Sequence, residues 1–256
     1  FYDADGDGCV DDLLSGRRVE YWDSGDFPLP YSVHVDGAKN IFDGSDIAAV
    51  EMGMSSWSGL PGSTAALSCA DTTEQRDSQA LDGVNLVTFS DPDFIFPNGV
   101  IAVGIATSFT EATVFQGRMV RPGQIVDADM IFNPKMSFKT APEGTGFDIQ
   151  SVATHEAGHL LGLSHSAVVT STMHFVLNPG INATSLEAED SIALVKAYPN
   201  AAMLGDANRI IGHVLDGDTQ DPVGGAAVFC IDAASGDTIG CDYTIPADGG
   251  FQFIGL

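Results

Sequence analysis

The sequence predicts an α+β fold followed by a smaller, purely β tail, and three observations carry that expectation. Strand-like apolar stretches dominate up to about residue 132, and two helical patterns follow before Pro199. Beyond residue 209 only strand patterns remain, broken by Gly and Pro turns. The third is size: 256 residues, 44% hydrophobic and 18% charged, can bury one full core and a small second one.

Four stretches are expected: a polar lead (1–16), a mixed domain (17–199), a short linker (200–209) and a partial β-sandwich (210–256). In the second stretch, Tyr31–Val35 reads as a strand after the Pro28/Pro30 turn. Ile47, Val50, Met54 and Trp57 recur near the helical period, predicting a helix over 45–57 capped by Ser45 or Asp46. Leu86–Phe89 and Val100–Thr107 read as partly buried strands. Residues 113–119 read as another, joined through Arg121-Pro122-Gly123 to a strand over Ile125–Phe132. Asp148 is placed to cap a helix from Ile149 to about Leu161, which Gly162 ends, and a last helix spans roughly 186–197.

Ten basic residues against 35 acidic ones give a net charge of −25. Nucleic acids and anionic membrane surfaces both need clustered Lys and Arg, so neither is an expected partner. No apolar run reaches the roughly 18 residues of a membrane span. Oligomeric state is left open. The chain opens on Phe1 and stops at Leu256 within a strand pattern, so it reads as a processed chain or a fragment.

The helix from Ile149 carries His155-Glu156-Ala157-Gly158-His159. Ligands four residues apart project from one helical face, the separation that two imidazoles need to share a tetrahedral zinc. Glu156 lies beside them, placed to take a proton from a metal-activated water rather than to ligate. Gly162 can turn the backbone at positive φ and return the chain so that His165 becomes a third ligand. Three protein ligands leave a fourth position open, the mark of a catalytic site. Three of the chain's six histidines stand at the required offsets.

The string from His155 to His165, HEAGHLLGLSH, fits the metzincin signature. Ser166 follows it, Met173 stands eight residues after His165, and Leu186, Glu189, Asp190, Leu194 and Tyr198 follow the pattern of the matrixin branch's closing helix. Asp127-Ala128-Asp129-Met130-Ile131-Phe132-Asn133 looks like its last sheet strand. Residues 17–199 thus resemble a matrixin catalytic domain. That resemblance implies a metzincin fold, a twisted mixed sheet with about three helices, and a secreted zinc endopeptidase acting on protein or peptide substrates. It makes His155, His159 and His165 the zinc ligands and Glu156 the general base and later proton donor. It puts Met173 in a turn beneath the metal, anchored by Asp190. An extended substrate would lie antiparallel to an edge strand, either Ile101–Ile105 or 113–119. Two departures stand out. His34 is the sole histidine upstream of the helix, too few for the second zinc of animal matrixins, and His174-Phe175 replaces the usual Tyr-Pro after the Met. The contrasting reading is a non-catalytic extracellular binding or adhesion protein on the same scaffold; decayed enzymes usually lose the Glu or a ligand, and all four residues are intact.

The lead carries Asp3, Asp5 and Asp7 at alternate positions, as in a calcium loop, although Leu14 stands where an EF-hand needs Glu. It reads either as a calcium site or as a solvated acidic segment. Cys9 could latch the metal, pair with another cysteine or stay inert. Cys230 and Cys241, either side of a Gly-containing stretch in the β tail, are expected to form a disulfide in an oxidising compartment. The tail resembles a truncated carboxypeptidase-regulatory-like sandwich and, lying beyond every proposed catalytic residue, is expected to be dispensable for peptide cleavage.

Overall fold

The computed structural model describes residues 11–12, 17–18, 20–78, 81–143, 145–176, 183–206 and 209–254. The candidate calcium residues Asp3, Asp5 and Asp7, and Cys9, lie outside them. Two short strands, β1 (Asp11–Asp12) and β2 (Arg17–Arg18), pair antiparallel at the start. A five-stranded mixed sheet is then built from β3 (Leu29–His34), β4 (Leu67–Thr73), β5 (Asn85–Thr88), β6 (Ala102–Ser108) and β9 (Ile125–Phe132), in the order β4-β3-β5-β9-β6. β3, β4, β5 and β9 run parallel; β6 pairs antiparallel with β9 and forms one edge. Between them, 113–119 is not one strand but a hairpin, β7 (Thr113–Phe115) and β8 (Arg118–Val120). Gln116 and Gly117 both take positive φ, 47° and 82°, the pair of dihedrals that reverses a two-residue hairpin.

β9 is buried at every position, as a strand covered on both faces must be, although it carries Asp127 and Asp129. These carboxyls replace ladder bonds where β5 parts from β9. Asp127 accepts from the Gly83 amide at 2.8 Å and Asp129 from the Leu86 amide at 2.8 Å. Burial pushes their pKa values up, to about 6 for Asp127 and about 8 for Asp129.

Helix α1 (Ser45–Ser55) crosses helix α2 (Ile149–Leu160) over the sheet. Neither Ser45 nor Asp46 caps α1. Gly44 is the N-cap at φ 76°, and Asp46 is buried, accepting instead from the Ala38 amide at 2.7 Å. Asp148 does cap α2, its carboxylate accepting from the Ser151 amide at 2.8 Å. Short strands β10 (Phe138–Lys139) and β11 (Phe147–Asp148) pair just before α2. The closing helix is α3 (Ala188–Ala197), and the expected linker contains a further helix, α4 (Ala201–Asp206). No helix among the described residues is long and apolar enough to cross a membrane.

The tail forms two two-stranded antiparallel sheets: β12 (Arg209–His213) with β15 (Gly250–Ile254), and β13 (Ala227–Ile231) with β14 (Thr238–Tyr243). The expected Cys230–Cys241 disulfide is not formed; both thiols are free. The register explains why. Cys230 faces Gly240 and Cys241 faces Phe229, so the two cysteines are one residue out of step and point to opposite faces.

Two predictions follow from this packing. A Cβ on Gly53 would sit 2.7 Å from the Ala153 Cβ and 2.8 Å from the Gln150 carbonyl oxygen, which is where α1 meets α2. Helix propensity favours Ala over Gly by about 1 kcal/mol, whereas overpacking typically costs about 1–3 kcal/mol. Gly53→Ala should therefore lower the melting temperature; a rise would mean the helices can separate freely. For Asp129, a carboxyl that binds its proton more tightly folded than unfolded favours the fold fully below its ordinary value of 3.8, and that contribution is lost as pH rises through about 8. Asp129→Asn keeps an acceptor for Leu86 and should flatten the pH dependence of melting between those limits, leaving the variant at least about 1 kcal/mol more stable at pH 8. Parallel melting curves for the two proteins would contradict the assignment.

Candidate metal centre

The three histidines converge. One ring nitrogen each from His155, His159 and His165 lie within 4.8 Å of one another, the single such group among the described residues. The first two come from adjacent turns of α2. The helix then ends in a Schellman turn: Leu163 donates its amide to the Gly158 carbonyl and Gly162 donates to that of His159, both at 2.9 Å. Gly162 takes φ +80°, and a Cβ there would lie 2.6 Å from the Glu20 carbonyl oxygen. This reversal brings His165 back over the helix.

The other nitrogens fix the tautomers. His155 Nδ1 lies 2.7 Å from the Thr172 carbonyl, and His159 Nδ1 2.8 Å from that of Leu163. A carbonyl can only accept, so each Nδ1 carries the proton and each Nε2 presents a lone pair. Burial lowers the pKa of His155 and of His159 to about 4, and also lowers that of His165. Neutral imidazoles with lone pairs directed at a common point are the donor set that a divalent metal requires. His159 Nε2 and His165 Nε2 stand 3.2 Å apart. The free lone pair of His159 Nε2 can accept a hydrogen bond from His165 Nε2 or share a cation with it, and three convergent imidazole nitrogens fit a zinc ion.

Glu156 is 6% exposed, and burial pushes its pKa up to about 8 despite a backbone hydrogen bond from Gly104. Gly104 belongs to β6, and a Cβ there would lie 2.7 Å from the Glu156 carbonyl oxygen and 2.9 Å from the His159 Cβ. Only glycine lets the edge strand come this near the helix.

Beneath the histidines, Met173 occupies space left by Gly158, where a Cβ would lie 2.2 Å from its sulfur and 2.9 Å from the Trp57 ring. The turn is gathered by Asp190 of α3, which is fully buried. One of its oxygens accepts from Ser171 Oγ at 2.5 Å and the Met173 amide at 3.2 Å. The other accepts from the Thr172 amide at 2.9 Å and the Glu187 amide at 3.0 Å. Asp190 thus places the Thr172 carbonyl that orients His155. Sequence reasoning found Asp190 and Met173 through the family pattern. It missed Thr172, Leu163, Gly104 and Trp57, whose Nε1 donates to the Thr154 carbonyl at 2.7 Å. Thr172 and Leu163 act through backbone carbonyls, which leave no trace in side-chain type.

Comparison with known proteins agrees with the geometry. Residues 102–199 match the profile of the Matrixin family. The chain is similar to Metalloendoproteinase 1-MMP of Arabidopsis thaliana, 41% identical over 61 residues, 23% of this chain and 17% of that protein. It is similar to Metalloendoproteinase 1 of Glycine max, 35% identical over 72 residues (28% and 24%). It is also similar to Metalloendoproteinase 2-MMP of Arabidopsis thaliana, 35% identical over 95 residues (36% and 24%). The matched stretches therefore span between 17% and 24% of these relatives.

Replacing Asp190 by Asn would set an NH2 group against two N–H or O–H donors in a site without water access. An unsatisfied buried donor costs about 1–3 kcal/mol, so Asp190→Asn should lower the melting temperature by several degrees and weaken zinc uptake, measured by metal analysis after dialysis. Unchanged stability and zinc content would remove Asp190 from this role.

Proposed function

We propose that this chain is a secreted zinc-dependent endopeptidase of the matrixin type that cleaves protein or peptide substrates. The observation that carries this reading is the convergence of three neutral imidazoles beside the buried carboxyl of Glu156. The matrixin similarity and the names of the relatives support it. In this reading the catalytic unit spans residues 17–199. The strands from Arg209 to Ile254 are part of a carboxypeptidase-regulatory-like sandwich, a reading supported by sequence pattern alone. Secretion is inferred from the same family likeness, and calcium at Asp3, Asp5 and Asp7 from their spacing.

His155, His159 and His165 would hold the zinc, which supplies Lewis acidity to the scissile carbonyl and lowers the pKa of water beside it. Glu156 takes the proton of the attacking water and returns it to the leaving amine nitrogen. A nearby dication would favour the ionised carboxylate and draw a pKa raised by burial back down, which suits a group that must accept and then release a proton. Edge strand β6 offers backbone groups to an extended peptide lying antiparallel to it, with a hydrophobic side chain entering beside His159. Of the two edges considered from sequence, 102–108 is favoured, because Gly104 brings β6 against α2 at Glu156 and His159. The exposed Phe175 ring, 6.5 Å from that of His165, supplies an apolar neighbour for substrate.

Glu156→Gln should retain about one zinc per chain while cleavage of a quenched peptide falls at least about a hundredfold, the lower end of what general-base catalysis contributes. His159→Ala, leaving two ligands, should lose both metal and activity. Near-normal turnover by the Gln variant would overturn the assigned base, and loss of zinc in it would make Glu156 a ligand.

A further inference from the structure

The third histidine is held differently from the other two. Among the described residues no hydrogen bond reaches the second ring nitrogen of His165, whereas His155 and His159 are each fixed by a carbonyl. His165 also lies beyond the helix, so its ring goes wherever the irregular stretch 163–167 goes. That stretch is tied on one side to the Met173 turn, Ser166 donating its amide to the Met173 carbonyl at 2.8 Å. On the other side Ser166 Oγ donates to Glu189 Oε1 at 2.7 Å. Behind Glu189 stands β14 of the tail. A cavity of about 120 Å³ lies between them, lined by Ser164, His165, Ser166, Glu189, Cys241 and Tyr243 among others. Lys196 of α3 joins Asp242 of β14 at 2.6 Å, and the other Asp242 oxygen accepts from the Gln252 amide at 2.8 Å, carrying the tie into β15.

We propose that the C-terminal strands are a working part of the metal centre: β14, docked on α3, braces the stretch that carries His165 and so sets how tightly the three histidines hold zinc. This rests on the zinc reading above. The tail is then not the dispensable spacer expected from sequence. Docking also covers Glu189 Oε2, which is buried without a hydrogen-bond partner. A buried carboxyl oxygen without a partner weighs against the docked arrangement. Coupling between two sites is reciprocal. If docking tightens zinc, zinc must tighten docking.

Cys241 reports the docked face, Cys230 the opposite face of the same sheet, and the exposed Cys69 lies on β4, outside the tail. The full chain would be alkylated with N-ethylmaleimide, zinc-loaded and after chelation, and each cysteine followed by mass spectrometry. Zinc removal should speed Cys241 labelling about three- to tenfold and leave Cys230 and Cys69 unchanged. Equal Cys241 rates in the two states would overturn the brace. So would a joint rise of Cys230 and Cys241, which reports unfolding of the tail. In a second arm, competition with a chromophoric chelator should show Lys196→Ala binding zinc several-fold more weakly and Lys196→Arg restored. Wild-type affinity in the Ala variant would refute the proposal. A wild-type chain that takes up no zinc at all would instead refute the reading on which it rests.

Discussion

The metal centre depends on how closely three other elements approach helix α2, and each approach is made at a glycine. Gly53 lets α1 cross it, Gly104 lets β6 run along it, and Gly158 of α2 itself makes room for Met173 and Trp57. A methyl group at any of these points would meet atoms at less than 3.0 Å. Interiors are packed at crystal-like density, so such contacts cannot be absorbed locally. The consequence is chemical as well as steric. The nearness of β6 and the Met173 turn is what removes His155 and Glu156 from water, and removal from water is the first cause of their altered protonation.

The electrostatics of the site follow from that burial. Desolvation disfavours the charged form of every group, so it neutralises the imidazoles and the carboxyl together. The histidines thereby become good ligands, because a lone pair is free on each. Glu156 becomes a carboxyl whose proton affinity is high enough to compete for the proton of an activated water. One physical effect therefore prepares both halves of the proposed chemistry. The backbone supplies the rest: the Thr172 and Leu163 carbonyls decide which nitrogen of each ring is protonated.

The site was more legible in the sequence than the fold around it. Helical periodicity, the Asp148 cap and Gly162 placed α2 within a residue of its bounds, and the three histidines were read from spacing alone. What escaped falls into two kinds. β4 is largely exposed, so no apolar alternation marks it, and its pairing with β3 is a long-range event. The Cys230–Cys241 bridge failed because pairing register, which decides whether two side chains share a face, is invisible in the spacing of two cysteines along one chain. The α1 cap failed for a related reason: Asp46 had a better tertiary partner in the Ala38 amide than in its own helix.

The scaffold alternative, an adhesion protein that keeps the architecture without the chemistry, can be weighed on energetic grounds. Holding Glu156 with its carboxyl out of water disfavours the folded chain at neutral pH unless a positive charge stands nearby. Gathering three imidazoles so that their ring nitrogens lie within 4.8 Å of one another, with His155 and His159 withdrawn from water, likewise gives up hydration that a bound cation would offset. A binding protein with no use for a metal would gain stability from replacing either feature with apolar side chains, since such replacements are commonly neutral or favourable. Asp190 adds to the same side of the balance. Four donors converge on one buried carboxylate to fix a turn whose visible effect is to place Met173 and the carbonyl that orients His155. Arrangements that lower stability unless a metal is bound support the enzymatic reading over the scaffold.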